Sequence, residues 1–151
     1  MQRFSSADEV LDFAIQREIE SHDFYTDLAG RVKRPWMREV FTDFAREEAG
    51  HRKKLEAVKT GKTLLPAREK ILDLKLSDYI VEAEIKPKMD YQEALQVAMH
   101  KEKKAFLLYT DLAGAVEDAG LKNTFLALAQ EEAKHKLRFE IEYDDLLESG
   151  G

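Results

Sequence analysis

No cysteine occurs among the 151 residues, which excludes disulfides, thiolate zinc sites, iron–sulfur clusters, thiol nucleophiles and a built-in four-cysteine iron centre. Any metal must therefore be held by Glu, Asp, His or Tyr. No stretch approaches the ~20 apolar residues of a membrane span. The opening MQRFSSADEV also lacks the apolar segment of a secretory leader. Basic charge is in short supply too: 24 Lys and Arg stand against 30 Asp and Glu, a net charge of −6. The basic residues are spread along the chain, so neither a nucleic-acid backbone nor an anionic membrane finds an electrostatic footprint. These absences lead to the expectation of one soluble, cytoplasmic domain over residues 1–151, with 44% hydrophobic residues to fill its core.

What the chain does contain is a repeat. AIQREIESHDFYTDLAGRV (Ala14 to Val32) answers AMHKEKKAFLLYTDLAGAV (Ala98 to Val116), and FTDFAREEAGHRKKLE (Phe41 to Glu56) answers FLALAQEEAKHKLRFE (Phe125 to Glu140), both at an offset of 84 residues. Apolar residues recur at steps of three and four in segments rich in Ala, Leu, Glu, Lys and Arg, which predicts helices. The first helix is expected from Ser5 or Ser6 to Lys33, the second from Pro35 to Lys59, the third from Asp90 to Asp118, and the fourth from beyond Gly120 to Glu148. The hairpins so formed, 5–60 and 90–148, are joined by a crossover over 61–89 that carries Pro66 and Pro87 and has room for a short helix in Lys70 to Ile85. The expected fold is all-α, a four-helix bundle of two duplicated antiparallel hairpins with the single long crossover of ferritin-like bundles.

The inward stripes, read at heptad spacing, are apolar at their ends and ionisable in the middle. They run Leu11, Ile15, Glu18, His22, Tyr25, Ala29, Val32; Met37, Phe41, Phe44, Glu48, His51, Leu55, Val58; Leu95, Met99, Glu102, Phe106, Tyr109, Ala113, Val116; and Leu121, Phe125, Leu128, Glu132, His135, Phe139. Counted outward from the two tight turns at ~1.5 Å per residue, Glu18, Glu48, His51, Glu102, Glu132 and His135 fall within about one helical turn of a common level. Four carboxylates in an apolar core repel one another and lose hydration, so something must compensate them. Two divalent cations would neutralise them. Glu-x-x-His sets a carboxylate and an imidazole on one helical face, and this oxygen–nitrogen mixture suits iron, manganese or zinc better than calcium or magnesium. The alternative is a hydrogen-bonded polar layer that sets the bundle's register.

With EIESHDFY (Glu18 to Tyr25), EEAGH (Glu47 to His51), EKKAFLLY (Glu102 to Tyr109) and EEAKH (Glu131 to His135), the sequence resembles the rubrerythrin and ferritin-like di-iron carboxylate family across all four helices. The resemblance implies two iron ions, with manganese or zinc as substitutes. It makes Glu18 and Glu102 terminal ligands, Glu48 and Glu132 bridging ligands, and His51 and His135 one imidazole ligand for each metal. Tyr25 and Tyr109, seven residues after Glu18 and Glu102, become the candidate catalytic tyrosines beside the ligands. Rubrerythrins proper also carry a rubredoxin domain and an extra Glu one turn after the third-helix ligand; here there is no Cys, and that position is Ala105. The implied activity is reduction of hydrogen peroxide or dioxygen by a short, stand-alone member, with electrons from a separate donor such as a rubredoxin-like protein. The alternatives are a ferroxidase or iron-handling protein with Fe(II) as substrate, and a structural helical module with zinc or no metal.

Other residues read more plainly. His22 stands in the inner stripe where the other half has Phe106, and it could be a seventh ligand, a partner of a ligand or a core histidine. His100 is expected at the surface. Glu47 and Glu131 are turned about 100° from their neighbouring ligands, toward solvent or toward a ligand's outer side. Gly50 answers Lys134 and reads as local packing freedom. Because the long crossover could exchange hairpins between copies, a homodimer is expected.

Overall fold

The computed structural model describes residues 7–61, 79 and 90–148. Four helices carry these residues: α1, Ala7–Arg31; α2, Pro35–Gly61; α3, Tyr91–Ala115; and α4, Ala119–Glu148. Among the described residues there is no strand. Connections of three residues, 32–34 and 116–118, make each consecutive pair an antiparallel hairpin. Most of the crossover, including the segment expected to hold a short helix, lies outside the described residues.

Local chemistry explains the helix ends. Pro35 occupies the first helical position of α2, where its missing N–H is no loss. Arg38 then reaches back to the Val32 carbonyl at 3.1 Å, satisfying a group left open at the end of α1. Asp90 caps α3 by accepting from the Glu93 amide at 2.8 Å. The α3–α4 turn differs from expectation. Val116 is already extended, at φ −113° and ψ 149°, so α3 stops at Ala115. Asp118 accepts from the Leu121 amide at 2.8 Å and starts α4 at Ala119. Gly120 is thus inside the first turn of α4, because the side-chain cap of Asp118 decides the boundary.

Two apolar clusters fill the bundle, one on each side of its middle. The first joins Val10, Leu11 and Ala14 of α1 with Leu55, Leu108, Tyr109, Leu112, Phe125 and Leu128. The second joins Tyr25, Leu28, Met37 and Phe41 with Leu95, Ala98, Phe139 and Leu146. The 84-residue offset carries members of one cluster onto the other: Tyr25 onto Tyr109, Phe41 onto Phe125, Leu11 onto Leu95, Leu55 onto Phe139. The duplicated hairpins therefore pack about a pseudo-twofold axis, and what lies between the clusters lies on that axis. Phe106 departs from its expected inward place and is 37% exposed, since α3 turns it onto the flank beside the core.

One buried acid lies outside the middle layer and beyond the expected stripe of the fourth helix. Glu142, seven residues after His135, is buried near the end of α4. It accepts from Arg34 at 2.9 Å and from Tyr91 at 3.2 Å, tying the α1–α2 turn to the start of α3. Glu142→Ala is expected to remove roughly 1–3 kcal/mol of stability and to lower Tm by several degrees in thermal denaturation, without changing metal binding.

Candidate metal centre

Between the two clusters the bundle buries six ionisable side chains, one Glu from each of α1 and α3 and a Glu-x-x-His pair from each of α2 and α4. Glu18, Glu48, His51, Glu102, Glu132 and His135 are each at most 4% exposed. They form two overlapping groups of possible metal ligands, Glu18, Glu48, His51 and Glu132, and Glu48, Glu102, Glu132 and His135. Glu48 and Glu132 belong to both groups. His51 Nδ1 lies 3.5 Å from Glu18, 3.2 Å from Glu48 and 3.1 Å from Glu132. His135 Nδ1 lies 3.6 Å from Glu48, 3.7 Å from Glu102 and 3.9 Å from Glu132.

A test of whether a cation fits is where the unpartnered polar atoms are. Among the described residues nine buried side-chain nitrogen or oxygen atoms lack a hydrogen-bond partner, and eight of them belong to these six side chains. They are both oxygens of Glu48 and Glu132, one oxygen each of Glu18 and Glu102, and Nδ1 of each histidine. A hydrogen-bonded polar layer would satisfy such atoms internally. Unpaired donor atoms converging in an apolar interior are instead the arrangement that a metal satisfies.

The oxygens of Glu18 and Glu102 that turn away from this convergence are taken by tyrosines. Tyr25 donates to Glu102 and Tyr109 to Glu18, so each tyrosine orients the carboxylate of the other half. The bonds cross between α1 and α3, which run antiparallel, and explain the seven-residue Glu-to-Tyr spacing in both. His22 is not among the candidate ligands. Its Nδ1 lies 2.9 Å from the Ala45 carbonyl and donates to it, joining α1 to α2. His100 is exposed, as expected.

The model of the rubrerythrin family matches residues 9–140. The chain belongs to the rubrerythrin family. No curated protein matches the sequence. Among solved structures, this rubrerythrin-family chain is similar to a protein from Thermotoga maritima described as a candidate ferritin-like diiron-carboxylate protein, with a TM-score of 0.80 at 17% identity over 95% of this chain and 98% of that one. It is also similar to a hypothetical protein from Pyrococcus furiosus, with a TM-score of 0.74 at 26% identity over 92% of this chain and 89% of that one. The first likeness is one of fold, and the fold is the ferritin-like four-helix bundle.

Electrostatics in the metal-free rubrerythrin-family centre follow from crowding and burial. Loss of hydration, reinforced by Glu132, raises the Glu18 carboxyl and pushes Glu102 up to about 8. Burial and then Glu132, Glu18 and Glu102 drive Glu48 well above the ordinary carboxylate range. Glu132 goes the other way: burial opposes its ionisation, but His51, Glu48 and His135 overcome it and hold its pKa down. Burial works against charged imidazoles, yet Glu132 and Glu18 raise His51 to about 10, and Glu102 and Glu132 raise His135 to about 9. Burial beside Glu102 and Glu18 drives Tyr25 and Tyr109 well above 10, keeping both hydroxyls protonated as donors. A cation that binds here has to displace the protons that the raised carboxyls and imidazoles favour.

Proposed function

We propose that the protein is a non-haem di-iron oxidoreductase that reduces hydrogen peroxide or dioxygen with electrons from a separate donor, such as a rubredoxin-like protein. The observation that carries this reading is the convergence of eight unpartnered donor atoms from six buried side chains between two apolar clusters. Glu18 and His51 would hold one iron and Glu102 and His135 the other, with Glu48 and Glu132 shared. When bound, the irons supply electrons to the oxidant by cycling between Fe(II) and Fe(III). The surrounding chain has three tasks. Its carboxylates offset the metal charge, Tyr109 and Tyr25 keep Glu18 and Glu102 turned inward, and the apolar clusters keep bulk water from the centre. With no cysteine for an electron-transfer centre of its own, the chain takes its electrons from outside.

Ferroxidase chemistry is the second reading, favoured by one feature. A surface hollow of about 380 Å³ on the α2–α4 face is lined by Asp43, Glu47, Glu131 and His135 beside Lys134 and Arg138, so carboxylates lead from solvent to a ligand histidine. Anaerobic reconstitution with Fe(II), followed by metal analysis and absorption spectra after peroxide or air, separates these possibilities. The expected outcome is about two irons per chain and a ferric absorption that grows faster with one equivalent of peroxide than in air. Faster growth in air transfers the assignment to a ferroxidase. No stoichiometric iron leaves a helical module with zinc or no metal.

A further inference from the structure

Duplication supplies an internal comparison, because the offset equates His51 with His135 and sets each in the same Glu-x-x-His frame. Their surroundings nevertheless differ. His135 Nε2 lies 2.8 Å from Glu47 Oε2, and since a carboxylate only accepts, Nε2 carries the proton and Nδ1 faces Glu48, Glu102 and Glu132. The Phe44 ring stacks on the same imidazole at 3.9 Å between centroids and 21° between planes. Position 128, the equivalent of Phe44, is a leucine that cannot stack in this way. Glu131, the equivalent of Glu47, groups with Glu47 and His135 and not with His51. Among the described residues no carboxylate stands on the outer nitrogen of His51.

The inner distances follow the same division. His135 Nδ1 is held 3.6–3.9 Å from its three carboxylates, beyond hydrogen-bond reach and open as donors around a cation stand. His51, with no carboxylate on its outer nitrogen among the described residues, lies 3.1 Å from Glu132, 3.2 Å from Glu48 and 3.5 Å from Glu18. Nδ1 of both histidines is without a hydrogen-bond partner, but at the His51 half the shorter gaps leave a cation more to open. The half with His135 needs less movement, and preorganisation of this kind lowers the cost of binding.

We infer that the two metal positions are unequal, the one at Glu102 and His135 filling first and more tightly, with Glu47 as the positioning residue that sets the difference. This rests on the metal-binding reading above and adds to it an order of loading. A hydrogen-bonded carboxylate behind a ligating histidine changes metal affinity by about 10- to 100-fold. The two positions should therefore be separated by a factor of that order.

Anaerobic titration of the metal-free chain with Co(II), followed by visible absorption and calorimetry, tests this without turnover. The expected result is two phases of one ion each, of which His135→Ala removes the tighter and His51→Ala the weaker. Glu47→Ala should weaken the tighter phase by about 10- to 100-fold, while Glu47→Gln, which can still accept from Nε2, weakens it less. Glu47 is 45% exposed and lies outside both apolar clusters, so neither change threatens folding. Glu131→Gln, which removes the same charge from the same rim, should leave both phases in place. Two equal phases in the unaltered chain, a tight phase that survives His135→Ala, or Glu47 variants that bind like the parent would each overturn the inference. Absence of any Co(II) binding would instead defeat the metal-binding reading on which it stands.

Discussion

Glu48→Gln combined with Glu132→Gln is expected to abolish stoichiometric metal binding while the bundle stays folded. Both residues belong to both ligand groups, and together they supply four of the eight unpartnered donor atoms. Their loss leaves each metal one carboxylate and one imidazole. A four-ligand protein site binds with about 10–16 kcal/mol, roughly 3 kcal/mol per ligand, so two lost ligands lower affinity by on the order of 10⁴-fold. Glutamine keeps the side-chain volume, which confines the change to charge and ligation. The two single variants should also differ in the metal-free state. Glu48 is held well above the ordinary carboxylate range by burial and by Glu132, Glu18 and Glu102, so its replacement relieves that crowding. Glu132 is the ionised partner of His51, and its replacement strips that imidazole of its nearest countercharge. Metal analysis after dialysis and circular dichroism decide the matter, and retention of two metals by a folded double variant would refute the bridging assignment.

The middle of this bundle was legible because duplication writes the same chemistry twice. One Glu-x-x-His is common on helices. Two of them at an offset of 84, each preceded by Glu and Tyr seven residues apart, place six ionisable groups at one height, and the structure brings all six together. Heptad counting fails where a side chain's reach, and not its position, decides. The rotation of Glu47 from Glu48 leaves it either in solvent or behind a ligand, and it stands behind His135; which of the two it takes depends on the spacing of α2 and α4, which neither helix encodes alone. Phe106 leaves the inner stripe because heptad stepping rounds 3.6 to 3.5 and does not show where a stripe's flank meets solvent. Glu142 was legible in principle, since it continues the stripe of Glu132, His135 and Phe139. Its partners Arg34 and Tyr91 come from distant segments, and they make it a structural acid at the end of the bundle.

Metal loading should raise Tm strongly, and the rise should grow with pH. Each thousandfold excess of free metal over Kd adds about 4 kcal/mol, which at roughly 2–4 °C per kcal/mol for a chain of this size is on the order of 10 °C. The sign of the pH effect in the metal-free protein comes from groups whose pKa is raised on folding. Glu18, Glu48 and Glu102, the last at about 8, contribute stability that is complete below the ordinary carboxylate value of 4.5 and is lost as pH climbs through the raised values. His51 and His135 contribute stability that is complete below 6.5 and is lost as pH climbs through about 10 and about 9. Glu132, whose pKa is lowered, contributes stability that is lost only in acid, below that window. The metal-free bundle should therefore weaken steadily between pH 5.5 and 8.5. The loaded bundle responds in the opposite sense, since the same carboxyls and imidazoles must shed protons to bind metal and affinity rises with pH. Both effects widen the gap. Differential scanning calorimetry of chelator-treated and Mn(II)-loaded protein at pH 5.5, 7 and 8.5 measures it, and a gap that stays constant or narrows with pH would show that these six side chains do not exchange protons for metal.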